Sequence, residues 1–70
     1  MGVGLKKHLG TVGSFYDVID FNGYRGWLRD ASTDDIYKIT SVRNDSIPLK
    51  KGDSVYFFIK GDTAFNVYNQ

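Results

Sequence analysis

The chain has 70 residues, of which 24% are charged and 16% aromatic, with a formal net charge of +1. That length holds one domain at most, because a separate core needs roughly 50 to 100 residues of its own. The absence of cysteine excludes disulfides, thiolate metal sites and cysteine nucleophiles together and fits a reducing, cytoplasmic setting. No apolar run nears the roughly 20 residues that span a bilayer, so no membrane association is expected.

One tryptophan, five tyrosines and five phenylalanines stand against two alanines, Ala31 and Ala64, and no glutamate. This mixture is poor for helices and good for strands, and predicts an all-β fold. Residues 1–7 hold glycines and lysines without a hydrophobic period and predict a flexible N-terminal lead-in. Met1 to Gly10 lacks the apolar centre and cleavage site of a signal peptide, so the chain is read as soluble and unprocessed. A single barrel domain is expected over residues 8–70.

The first strand is expected from near His8 to Tyr16, with Thr11, Val12, Phe15 and Tyr16 as its β-forming residues. Asp17 to Gly23 mixes Val18, Ile19 and Phe21 with Asp20, Asn22 and Gly23, and reads as a loop with a short extended piece. Tyr24 to Arg29 alternates, placing Gly26 and Leu28 on one side and Arg25, Trp27 and Arg29 on the other. Asp30 to Asp35 is a polar turn and Ile36 to Ile39 a third strand. Val42 to Pro48 is irregular, and Pro48 to Asp53 turns the chain into Ser54 to Lys60. In that strand Val55, Phe57 and Ile59 oppose Tyr56, Phe58 and Lys60. Gly61-Asp62 fits a tight hairpin into Thr63 to Tyr68, because glycine supplies the positive φ of a primed turn. Five short strands without a helix predict a small antiparallel barrel, which leaves no open sheet edge.

No catalytic constellation is found. His8 is the only histidine and has no cysteine or glutamate partner. Asp34-Asp35 pairs carboxylates only in sequence, since adjacent residues diverge. Asp30 and Asp34 lack the calcium-loop spacing, and Gly23 and Gly26 lack the strand-to-helix setting of a phosphate loop. Neither a metal nor another cofactor is expected.

The order of the pieces resembles the cold-shock domain, a five-stranded OB-type barrel that binds single-stranded RNA and DNA. Gly10-Thr11-Val12 followed by Phe15 is similar to the family's opening Gly-Thr/Lys-Val-Lys-Trp-Phe. Gly26-Trp27-Leu28 is similar to the Gly-Phe-Ile that ends its first ribonucleoprotein motif. Lys38 to Val42 is similar to the His-Phe-Ser-Ala-Ile that closes the second. Leu49 to Phe57 resembles Leu-x-x-Gly-Gln-x-Val-x-Phe, and Ala64 to Val67 resembles Ala-x-Asn-Val. Several positions depart from the pattern. Gly13-Ser14 replaces Lys-Trp, Arg25 replaces an outward phenylalanine, and the stretch from Phe15 to Gly26 is about four residues longer than usual.

The resemblance implies non-catalytic binding of single-stranded RNA or DNA, with RNA-chaperone-like behaviour. Such binding combines aromatic platforms for unpaired bases with cations that track the phosphates. The candidates are Phe15, Tyr24, Arg25, Trp27, Arg29, Tyr37 and Lys38; a guanidinium at Arg25 can itself stack on a base. Phe15 is either an outward ring, as the resemblance favours, or a core residue. On the third strand, an outward Tyr37 would send Lys38 into the core at high cost, so the preferred register has Ile36 and Lys38 outward and Tyr37 inward or at a bulge. The plainer reading of the second strand has Trp27 covering a barrel end and Arg25 paired with Asp17 or Asp30. The rival function is a protein-interaction module in which Tyr56, Phe58 and Trp27 form an apolar patch. RNA or DNA preference and oligomeric state stay open.

Overall fold

In β4, Ser54–Lys60, Val55 and Phe57 alternate with Ser54 and Tyr56, and the first pair is fully buried. The same two-residue period makes β1 (His8–Phe15), β2 (Gly26–Asp30), β3 (Ile36–Ile39) and β5 (Thr63–Asn69). The computed structural model describes residues 6–16 and 18–70. The expected lead-in therefore lies largely outside the described residues; within them, Lys7 holds its ammonium 4.3 Å from the centre of the Tyr56 ring.

The strands close into a barrel in the order β1-β2-β3-β5-β4, so the all-β, five-stranded OB-type barrel expected from the sequence is what forms. Four ladders are antiparallel. The fifth is parallel and short, pairing Lys38 with Thr63 and Ile39 with Ala64. Between β3 and β4 the chain passes through a single 3₁₀ turn at Asn44–Ser46. The buried Ser46 hydroxyl there accepts the Asn69 N–H at 3.0 Å, tying the turn to β5. Gly61, at φ +64°, makes the β4–β5 hairpin, with glycine at the first central position as in a type II′ turn.

Every strand contributes to one core, formed by Val12, Leu28, Ile39, Val55, Phe57, Ala64 and Val67 with Leu49 from the preceding loop. Two bulges reset the alternation. In β1, Val12 pairs with Leu28 but Ser14 pairs with Trp27, leaving Gly13 as the extra residue. In β5, Phe65 pairs with Phe58 and Tyr68 with Tyr56. The extra residue lies at Asn66, in the left-handed region at φ +52°. A bulge shifts the phase of the pleat, which lets Ala64 and Val67, three apart, both face inward.

The β2–β3 turn is organised by Asp30. Its buried carboxylate accepts from Ser32 N at 2.8 Å and Thr33 N at 3.3 Å through Oδ1, and meets His8 Nδ1 at 3.1 Å through Oδ2. His8 also stacks on Phe57 with centroids 5.5 Å apart. The lone histidine is a structural strut. No helix among the described residues is long and apolar enough to cross a membrane.

Candidate nucleic-acid interface

Inward Leu28 and Gly26 leave Trp27 and Arg29 on the outer face of β2. Antiparallel pairing sets residues directly opposite each other on one face, so Trp27 stands between Ser14 and Lys38, and Arg29 between Thr11 and Ile36. Ile36 and Lys38 are exposed and Ile39 is buried, which is the preferred register of the third strand. The Trp27 ring lies over Gly13. A Cβ at that glycine would fall 2.1 Å from Cζ3 of the indole. Gly13 is thus the seat of the tryptophan.

The long β1–β2 connection forms the wall of this face. Tyr16 N donates to Arg25 O at 2.7 Å, extending the ladder one step beyond the strands. Asp20 then closes a small turn. Its Oδ1 accepts from Asn22 N and Tyr24 N, both at 2.9 Å, while its backbone N donates to Tyr24 O at 2.8 Å. Gly23, at φ +90°, completes it. Side chains of aspartate favour this kind of local capping. The result is an open groove of about 380 Å³ lined by Tyr16, Tyr24, Trp27, Ile36 and Lys38, with Asp20 and Asn22 at the loop side. The Lys38 ammonium sits 4.9 Å from the Tyr24 ring centre.

Of the candidate residues, Tyr24, Trp27 and Lys38 converge on the groove. Arg29 is beside it on the same face, but its guanidinium is engaged by Asp34 at 3.3 Å in an exposed pair. Arg25 holds its guanidinium 5.9 Å from the Phe15 ring. Asp30, one proposed partner for Arg25, is taken by His8 and its own turn; the other, Asp17, lies outside the described residues.

The outward place expected for Phe15 is corrected, and Tyr37 takes the inward place that the preferred register of β3 gave it. Phe15 pairs with Gly26 and packs against the core, because the Gly13 bulge inverts the alternation that would have turned it outward. Tyr37 pairs with Leu28 and tilts against Phe57 at 5.9 Å, so it belongs to the core side. The rival patch is also divided. Tyr56 meets β1 at Leu9 and Trp27 meets it at Ser14, roughly 16 Å apart along an extended strand. Tyr56 and Phe58 instead meet Tyr68 and Phe65 across the β4–β5 ladder as tilted ring pairs, at 5.5 and 5.8 Å.

Tyr16, Asp20 and Asn22 are groove residues that strand alternation missed, whereas Ile36 lines the groove from the outward place that the register of β3 gave it. The signal that finds them is Asp20-Phe21-Asn22-Gly23, a turn sequence bracketed by rings at Tyr16 and Tyr24. A larger depression of about 530 Å³ lies elsewhere, lined by Thr40, Ile59, Lys60 and Phe65. It offers one ring and one cation, a poorer match to base stacking. Among the described residues no group of three or more His, Cys, Asp or Glu could hold a metal ion.

Fold and site together define a small closed β-barrel carrying an aromatic, lysine-edged groove on its β2–β3 face. Comparison of the chain with protein-family models, curated proteins and solved structures finds no match.

Proposed function

We propose that this barrel is a divergent cold-shock-like domain that binds single-stranded RNA or DNA without catalysis, in an RNA-chaperone-like role and a cytoplasmic setting. The observation that carries the reading is the groove itself, in which Tyr16, Tyr24 and Trp27 present rings beside the Lys38 ammonium. Unpaired bases stack on such rings and the backbone phosphates are drawn to such cations. The motif order along the chain supports the same reading.

The test is titration with a mixed-pyrimidine single-stranded oligonucleotide at low salt, read by the emission of Trp27, the only tryptophan. Quenching should saturate. Trp27→Ala should cost about 1 to 3 kcal/mol of binding, roughly 5- to 150-fold in affinity. A Trp27→Ala protein that stays folded and binds with unchanged affinity, measured by anisotropy of a labelled oligonucleotide, overturns the proposal.

A second reading, as a protein-interaction module, draws on the β1–β2 loop. Val18, Ile19 and Phe21 are 73%, 57% and 98% exposed there, an apolar tip of the kind that marks a protein contact. Failure of every single-stranded oligonucleotide to change Trp27 emission would favour it.

A further inference from the structure

Among the described residues that line the groove, Asp20 is the one acidic side chain in a surface otherwise suited to a polyanion. Its Oδ1 is committed to the two N–H groups of its own turn. Its Oδ2 accepts no hydrogen bond and makes no ion pair among the described residues. The carboxylate is therefore fixed in place by the backbone with one oxygen open, in the same groove as Tyr24 and Trp27. Lys38 attracts phosphate into this groove and Asp20 repels it. A bound strand satisfies both only by running its backbone on the lysine side and turning base edges toward Asp20.

From this geometry, and resting on the nucleic-acid reading above, we infer that Asp20 selects for cytosine over uracil or thymine. The chemistry is local. Cytosine carries an amino donor at C4, where uracil and thymine carry a carbonyl oxygen. A carboxylate accepts from the first and is repelled by the second. The two bases stack alike, so the rings of the groove bind either one and the carboxylate separates them. Because the groove is open to water, the discrimination should be about tenfold, at the low end for a direct base contact.

The experiment compares oligo(dC) with oligo(dT) of equal length at slightly alkaline pH, where cytosine is unprotonated, reading Trp27 quenching at one fixed salt concentration. The wild type should bind oligo(dC) about tenfold more tightly. Asp20→Asn keeps a carbonyl oxygen for Asn22 N and Tyr24 N and converts the open acceptor into an amide donor, so its preference should vanish or reverse toward oligo(dT). Lys38→Gln should weaken both oligonucleotides and leave their ratio unchanged. A measurement that needs no substitution replaces each cytosine with its N4,N4-dimethyl form, which keeps the ring but removes the donor; affinity should fall to that of oligo(dT). Equal wild-type affinity for oligo(dC) and oligo(dT), or a cytosine preference that survives both Asp20→Asn and dimethylation, overturns the assignment while leaving the nucleic-acid reading standing. Absence of binding to either oligonucleotide overturns both.

Discussion

Replacing Gly13 with alanine sets a methyl carbon 2.1 Å from Cζ3 of Trp27, with Cη2 and Cε3 at 2.2 and 2.4 Å. Non-bonded carbons settle at about 3.5 to 4.0 Å, so the indole must retreat by roughly 1.5 Å or β1 must move. Overpacking of this kind typically costs about 1 to 3 kcal/mol, a large part of the stability of so short a chain. Gly13 does not sit at positive φ, so alanine is otherwise acceptable and should stabilise by about 0.4 to 1 kcal/mol through the unfolded state. The two effects separate in a double-mutant cycle. Gly13→Ala should be destabilising in the wild type and neutral or stabilising in a Trp27→Ala background, a coupling of about 1 to 3 kcal/mol. Urea denaturation followed by far-ultraviolet circular dichroism measures all four proteins. In the wild-type background, tryptophan emission should also shift to the red as the ring leaves its seat. The same cost for Gly13→Ala in both backgrounds would refute the placement of Trp27 over β1, and with it the floor of the groove.

Binding should weaken with salt at a slope of about −0.7 per phosphate contact, for two to four contacts in all, and Lys38→Gln should flatten the slope by about one contact; a salt-independent affinity argues against nucleic acid. Asp30→Ala strips the acceptor from Ser32 N, Thr33 N and His8. It should cost about 1 to 3 kcal/mol in urea denaturation, and no loss would mean that the turn does not depend on that carboxylate. Phe21→Ala removes a ring that is 98% exposed. Its stability should change by less than about 0.5 kcal/mol, and a larger loss would show that the loop packs its tip.

The features legible in the sequence are those governed by neighbours along the chain. Alternation in Gly26 to Arg29 and in Ser54 to Phe57 assigned the inward and outward faces, because side chains in a strand alternate whatever the strand pairs with. The Gly61-Asp62 hairpin followed from the φ that only glycine adopts without strain. The cost of burying the Lys38 ammonium was enough to choose the register of β3. Composition alone indicated strands and no helix.

Tertiary structure decided the rest. Phe15 and Tyr37 both pack against the core side. For Phe15 the cause is the bulge at Gly13, which arises only when β1 is paired with β2 and Trp27 needs room above its backbone. Arg29 is a strong cation in the sequence, yet in three dimensions it is held by Asp34 across the β2–β3 turn. The groove draws on Tyr16, Asp20, Tyr24, Trp27 and Lys38, residues from β2, β3 and the long loop that no single period connects. Local pattern can say which way a side chain leaves its own strand. Which side chains then share a cavity depends on strand order and on where a bulge shifts the pleat, and these are settled only when the barrel closes.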